Sequence, residues 1–319
     1  MPGEPSASTS SRAARVLFAG GGTGGHLFPG IAVAYELRRR HPAAHIVFAG
    51  SGKVLEARIV ERGGFALDRI RTRGLVGQSA GDLLRGLALL PVSMFDAAAL
   101  LRRHKPRLVV GLGGYSSGPL VLSAALGGLP TMLLEQNAVP GVTNRILARV
   151  VRAAAVPSEA ALPYFHGRGF VSGNPVRASF FAADRPGGDS ETGEVHVLVI
   201  GGSQGAHTIN VAMVEAAGHI VRSGRPIRLT HQTGERDLDT VREGYRAAGL
   251  PVRVAPFIEE MDREMAAAHL IVCRAGATTL AEVAAAGRPA VLVPFGRAAN
   301  DHQRHNAAAM EAAGAAEVI

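Results

Sequence analysis

Five of the six residues 20–25 are glycine, in the run Gly20-Gly-Gly-Thr-Gly-Gly-His26. The run follows a short apolar segment at 15–19 and opens a stretch whose Ile31, Val33, Ala34 and Leu37 fit one helical stripe. A strand, a glycine loop and a helix in that order present free backbone N–H groups and the positive end of a helix dipole, which together hold a phosphate. Gly20, Gly22 and Gly25 also satisfy the spacing of a dinucleotide site, but that chemistry needs an acidic residue about 20 positions on for the ribose. The second strand instead ends Ala49-Gly-Ser-Gly-Lys53, with no acid before Glu56, which argues against an oxidoreductase. Nor is Ser51-Gly-Lys53 a P-loop, because Val47 stands at its first glycine and Val54 at its magnesium hydroxyl.

Three more loops repeat the logic. Gly111-Leu-Gly-Gly-Tyr-Ser-Ser-Gly-Pro119 combines glycines with hydroxyls after another apolar run, and Gly201-Gly-Ser-Gln-Gly-Ala206 does the same in the second half. In Cys273-Arg-Ala-Gly-Ala-Thr-Thr-Leu-Ala-Glu282, Thr278 and Thr279 can cap a helix and donate to phosphate, while Glu282 stands one turn in, where a carboxylate can take a ribose diol. Gln136 and Asn137 close a further strand as donors to sugar hydroxyls, and Arg177 sits where the halves join. His302 and His305 lack companions at metal-ligand spacing and read as a solvated loop.

These loops must be positioned by alternating strands and helices. Strands are predicted at 15–19, 45–49, 107–111, 130–134 and 153–156, then at 195–200, 227–230, 252–254, 270–273 and 290–293, with helical segments between. The fold class is α/β: parallel sheets covered by helices, as two Rossmann-like domains facing a central cleft. A disordered tail is expected over 1–14, a first domain over 15–172, a breaker-rich linker over 173–193 and a second domain over 194–319.

Composition narrows the function. The chain has 319 residues, 47% hydrophobic, so the bulk is folded. Its single cysteine excludes a disulfide framework and suits a reducing compartment. Met1 to Ala14 hold Pro, Ser, Thr and Glu4 without an apolar stretch, which is no secretory signal, and no apolar run is long enough to span a membrane. The net charge of +8 divides into +11 over residues 1–170 and −3 over the rest. A basic half suits an anionic membrane or a polyanionic substrate; with aromatics at 5% and no Trp for base stacking, nucleic acid is the weakest of the possible partners.

Gly21-Gly-Thr-Gly-Gly-His-Leu-Phe-Pro-Gly30, Gly113-Gly-Tyr-Ser-Ser-Gly-Pro119, Glu135-Gln-Asn137, Gly173-Asn-Pro-Val-Arg177, Gly201 to Ala206 and Cys273 to Ala277, taken in order and spacing, closely resemble the MurG family of peptidoglycan glycosyltransferases. The resemblance covers nearly the whole chain from residue 15. It implies a GT-B fold and inverting transfer of N-acetylglucosamine from UDP-N-acetylglucosamine to lipid I, giving lipid II for cell wall biogenesis. It implies Thr23, Gly24 and Gly25 near the donor sugar and diphosphate, Asn137 near the sugar, and Arg177 and Ser203 on the phosphates. It further implies Ile258 beside uracil, the turn Ala277, Thr278, Thr279, Leu280, Ala281 and Glu282 on diphosphate and ribose, and Gln303 on the sugar hydroxyls. The acceptor diphosphate would lie near His26 and Tyr115.

Inversion needs a base for the acceptor proton, for which His26 is offered first and Glu135 second, and stabilisation of the departing UDP, which helix N-termini and Arg177 supply without metal or other cofactor. The implied setting is the cytoplasmic face of the plasma or inner membrane, held peripherally. There residues 81–103, with Leu83, Leu84, Leu87, Leu90 and Phe95 near Arg85, Arg102 and Arg103, would dock on anionic lipid, alongside other wall-synthesis proteins. Two departures stand out: Leu134 replaces a histidine common before Glu-Gln-Asn, and family members continue through further helices after the position of Ile319. A UDP-N-acetylglucosamine 2-epimerase of the same architecture and an inactive sugar-nucleotide binder are the alternatives.

Overall fold

The computed structural model describes residues 13–21, 24–72, 80–181, 193–202, 205–296 and 302–319, with the side chains of 80–88 left aside. Most of the expected tail, and with it Thr23 and Ser203, lies outside the described residues.

The first apolar run folds as β1 (Arg15–Gly20), with Leu17, Phe18 and Ala19 fully buried. A strand buried on both faces needs apolar residues at every position, and alternation sends them to different layers. Leu17 and Ala19 join one core with Val109, Leu120 and Val121, while Val16 and Phe18 join the opposite one with Leu27, Ile31 and Phe48. The parallel register sets Phe18 beside Phe48 of β2 (His45–Gly50), where the rings stack at 4.9 Å.

The first sheet continues through β3 (Ala66–Arg69), β4 (Leu108–Gly113), β5 (Thr131–Leu134), β6 (Ala153–Val156) and β7 (Gly169–Val171), in the order β3-β2-β1-β4-β5-β6-β7. The second holds β8 (Val195–Ile200), β9 (Ile227–Gln232), β10 (Val252–Ala255), β11 (Leu270–Cys273), β12 (Ala290–Leu292) and β13 (Ala316–Val318), in the order β10-β9-β8-β11-β12-β13. All their pairings are parallel. Strand order reverses direction between β1 and β4 and again between β8 and β11. Ligands bind at such switch points, at the carboxyl ends of the strands. The four glycine loops follow these four strands.

Strands β3, β7 and β13 escape the pattern of apolar runs. Each is an outermost strand of three or four residues, partly exposed, so solvent relaxes the demand for continuous apolar side chains. Helix α1 (Gly24–Arg40) begins inside the glycine loop, seven residues before its apolar stripe, and contains Pro29. The remaining helices are α2 (Val54–Arg62), α3 (Ala80–His104), α4 (Ser117–Leu126), α5 (Val142–Leu147), α6 (His207–Arg222), α7 (Leu238–Ala247), α8 (Met261–Ala267), α9 (Ala277–Ala286) and α10 (His302–Ala312).

Beyond β7 the chain crosses to the second sheet within the segment expected as linker. The 3-10 turn Ala178–Phe180 buries Phe180 completely in the second unit's core, against Ile258, Met265, Leu280 and Val283. This segment therefore packs as part of the second unit. Phe180→Ala leaves a cavity there and is expected to cost about 3–5 kcal/mol of unfolding free energy; denaturant titration of the full chain checks it, and a loss below about 1 kcal/mol would place Phe180 outside the core.

Candidate functional site

On the first-sheet side, glycines let three loops touch. A Cβ on Gly114, at φ +74°, would lie 2.8 Å from the Gly21 carbonyl oxygen, and one on Gly113, at φ +95°, would lie 3.2 Å from the His26 ring. Beneath the first loop the buried Glu56 carboxylate accepts from Ser51 Oγ at 2.7 Å and from the Gly52 N–H at 2.7 Å. It fills the space a Gly21 side chain would need, with Oε1 only 2.4 Å from the Cβ position. Glu56, in the first turn of the helix that follows β2, thus braces the loop.

His26 follows that loop, and its Nδ1 lies 2.8 Å from Gln136 Oε1. Tyr115, in the β4–α4 loop, carries the Lys53 ammonium 6.0 Å from its ring centre. Glu135, offered as the reserve base, lies inside its own loop. It is 1% exposed, and Oε1 accepts from the N–H groups of Gln136 and Asn137 at 2.9 and 2.8 Å and from Asn137 Nδ2 at 3.1 Å. Oε2 accepts from Gly141 N–H at 3.3 Å and Asn144 Nδ2 at 2.8 Å. These five donors make the carboxylate a tie for the loop after β5. Asn137 is drawn into the same knot.

On the second-sheet side, a Cβ on Gly205, at φ +77°, would sit 2.0 Å from the Thr233 carbonyl, so only glycine closes the β8–α6 loop. Gln232 spans the edge, donating to Gly202 O at 2.9 Å and accepting from the Ile258 N–H at 2.8 Å. Behind it, buried His231 meets Asn210 Oδ1 at 3.0 Å through Nε2 and Tyr245 Oη at 2.8 Å through Nδ1. Burial pushes this imidazole down to about 4, so it is a neutral core group. Burial also pushes the Cys273 thiol up to about 12, which leaves it unreactive.

Between the sheets lies a cavity of about 710 Å³. Gly24, Gly25, Arg177, Ile258, Thr278, Thr279, Glu282 and Gln303 all line it, so these expected residues come together. His26, Glu135, Tyr115 and Asn137 are not among its lining residues; Ala277, Leu280 and Ala281 are also absent, and Leu280 faces the core. The last three instead belong to α9, whose first turn presents the backbone. The N-termini of α1 and α9 enter the cavity from opposite units, and both dipoles favour an anion there.

The units also bond directly. Pro29 has no N–H, so the Gly25 carbonyl four residues earlier lacks its helical donor. The Thr278 hydroxyl donates to that oxygen at 2.8 Å. Arg62 Nη2 pairs with Glu259 Oε1 at 2.5 Å across the same interface. Arg177 is held between Phe28 of the first unit, at 5.5 Å, and Phe180 of the second, at 4.9 Å, and its buried Nε has no protein partner.

Sequence reasoning passed over Gln232, Pro29 and Arg274. Arg274, in the cavity wall, donates from Nη1 to the Val293 and Pro294 carbonyls at 3.0 and 3.2 Å. Its place one residue beyond a strand was a usable signal; for Gln232 there was none, since its partners are 26 and 30 residues away. Gln303 Oε1 accepts from the Phe295 N–H at 2.9 Å. Among the described residues no three His, Cys, Asp or Glu side chains gather to hold a metal ion.

Residues 16–156 match the model of the glycosyltransferase family 28 N-terminal domain and residues 196–319 that of its C-terminal domain. The UDP-N-acetylglucosamine–N-acetylmuramyl-(pentapeptide) pyrophosphoryl-undecaprenol N-acetylglucosamine transferase of Anaeromyxobacter dehalogenans is 46% identical over 307 residues, covering 96% of this chain and 80% of that protein. The crystal structure of Acinetobacter baumannii MurG superposes with a TM-score of 0.70 at 30% identity, over 96% of this chain and 85% of that one. A UDP-GlcNAc 2-epimerase from Neisseria meningitidis has a TM-score of 0.62 at 13% identity, covering 95% and 86% of the two chains, a likeness of fold alone.

Glu282 is the cavity-lining carboxyl whose proton affinity is raised. Desolvation raises its carboxyl from 4.5 to about 7; Arg177 opposes that rise and Asp262 adds to it. Between about pH 4.5 and 7 the folded chain keeps a proton that the unfolded chain releases, so this group costs stability progressively as pH rises through that window. Glu282→Gln is therefore expected to raise the melting temperature relative to the unaltered chain at pH 8 and to lose that advantage at pH 5. Equal offsets at both pH values would remove the desolvated carboxylate from the account.

Proposed function

The chain belongs to glycosyltransferase family 28, as a MurG-type member, and we propose how its cleft divides the work of transfer. It is an N-acetylglucosaminyltransferase that moves N-acetylglucosamine from UDP-N-acetylglucosamine to lipid I, giving lipid II in peptidoglycan synthesis. The observation carrying the proposal is the pair of opposed helix N-termini on one cavity that also holds Arg177 and Glu282.

The donor lies in that cavity, with its diphosphate on the α9 N-terminus, Thr278, Thr279 and Arg177. The guanidinium, positioned by two aromatic faces and unpartnered at Nε, has donors available for developing negative charge. Glu282 takes the ribose diol, whose hydroxyls replace the water that burial removes from the carboxylate. Ile258 backs the uracil; because its N–H belongs to Gln232, it offers its side chain and carbonyl. Gln303 reaches the sugar. The acceptor approaches from the first unit, its diphosphate beside Lys53, Tyr115 and the paired glycine loops. There His26 removes the proton from the attacking hydroxyl as the anomeric bond to UDP breaks on the opposite face, and UDP leaves carrying the negative charge. The neutralising groups are side-chain cations and helix dipoles, so the chemistry as proposed needs no divalent cation.

The membrane surface is proposed on α3, α4 and α5, which pack in sequence. Phe95, Leu126 and Ile146 are 65%, 72% and 67% exposed, and Val142 and Val150 flank Ile146 with Arg145 and Arg149 alongside. The side chains of Leu83, Leu84, Arg85 and Leu87 lie outside the described residues. Apolar insertion beside basic residues suits an anionic leaflet, each near-surface cation adding about 1 kcal/mol.

Turnover with UDP-N-acetylglucosamine and a lipid I analogue is expected to proceed equally with and without chelator. His26→Ala is expected to lower kcat about 10²- to 10⁴-fold while leaving donor affinity unchanged. Loss of turnover on chelation, or full kcat in the variant, would overturn the corresponding assignment. Co-flotation with anionic vesicles is expected to exceed that with zwitterionic ones and to fall in Phe95→Ser/Ile146→Glu; equal flotation of the two vesicle types would dismiss the docking face.

A further inference from the structure

We propose that Gln136 is a positioning residue that fixes neutral His26 as its Nδ1–H tautomer, leaving the Nε2 lone pair as the base. The inference rests on the reading of His26 as the proton acceptor and supplies what that reading lacks, a reason for one ring nitrogen to be available rather than the other.

Gln136 is 3% exposed, so its polar atoms depend on protein partners. Its Nε2 lies 2.8 Å from Leu134 O and 3.3 Å from Leu112 O, two acceptors that together use both amide protons. Turning the amide over would set its oxygen against two carbonyl oxygens with no proton between them. The oxygen therefore points the other way, where Oε1 lies 2.8 Å from His26 Nδ1. An amide oxygen only accepts, so Nδ1 must carry the proton. A neutral imidazole has one N–H, which leaves Nε2 as an acceptor, and no described group bonds Nε2.

The amide is itself held at both ends of its residue. Its N–H donates to Glu135 Oε1 at 2.9 Å, and its carbonyl accepts from Asn174 Nδ2 at 3.4 Å, where the chain leaves the first unit. This gives the buried Glu135 knot a role one step removed from the chemistry: it steadies the residue that orients the base. An amide oxygen also sets the tautomer without adding a negative charge. A carboxylate in its place would favour the imidazolium and disarm the base at neutral pH.

The test is nitrogen-15 NMR of the full chain labelled at histidine nitrogens, with His26 assigned by its loss in His26→Gln. Above the imidazole titration, Nδ1 is expected to show the protonated-nitrogen shift and Nε2 the unprotonated one. The reverse pattern, or an averaged pair, overturns the proposal without needing any variant to fold. Gln136→Met should abolish the tautomer preference and lower kcat about 10- to 100-fold with an unchanged KM for UDP-N-acetylglucosamine. An unchanged tautomer and kcat in Gln136→Met, at matched folded fraction, would also sink it. The two readings fail separately: full activity in His26→Ala removes the base but not the tautomer assignment, whereas an Nε2–H ring with an inactive His26→Ala does the converse.

Discussion

A parallel sheet delivers every strand-to-helix loop to one edge, and this chain sets two such edges against each other. That constraint governs the site. Four loops arise at the reversal points beside β1, β4, β8 and β11, and the backbone N–H groups that begin the following helices have no helical acceptors. Two of those helices, α1 and α9, turn the resulting positive potential into one cavity from opposite sides. Glycine is required where the loops must touch: Gly114 clears the Gly21 carbonyl, and Gly205 clears that of Thr233.

Buried carboxylates in this molecule stand in two kinds of surroundings. Glu56 accepts from the Ser51 hydroxyl and the Gly52 N–H beneath the first loop, and Glu135 accepts from five donors within its own loop. Both hold backbone in place. Glu282 instead faces the cavity, where desolvation raises its proton affinity, and Arg177 nearby has an unpartnered buried Nε. Polar groups left incompletely satisfied around one cavity favour a ligand that completes them. The His231, Asn210 and Tyr245 group behind the second sheet is paired internally and serves packing instead.

Pro29 underlies the direct bond between the two units. By deleting one helical N–H it leaves the Gly25 carbonyl open at the cavity wall, and the Thr278 hydroxyl of the other unit takes it. A hydroxyl that reads as a phosphate donor thus also bonds the two units to each other.

The sequence by itself determined the two α/β units, the glycine loops and the cluster of Thr278, Thr279, Glu282 and Arg177, because continuous apolar runs such as 15–19 and 195–200 and the glycines after them are local signals. It did not reveal β3, β7 and β13, whose outermost positions tolerate mixed residues, or the burial of Phe180 in the second core, since edge pairing and long-range packing leave no period in the chain. Tertiary structure alone decided which polar residues are free. Glu135 and Glu282 are both glutamates, yet one accepts from neighbours one to nine residues away and the other is left to desolvation in a cavity between units. The difference lies in the donors that folding brings to each, and a linear chain carries no record of that count.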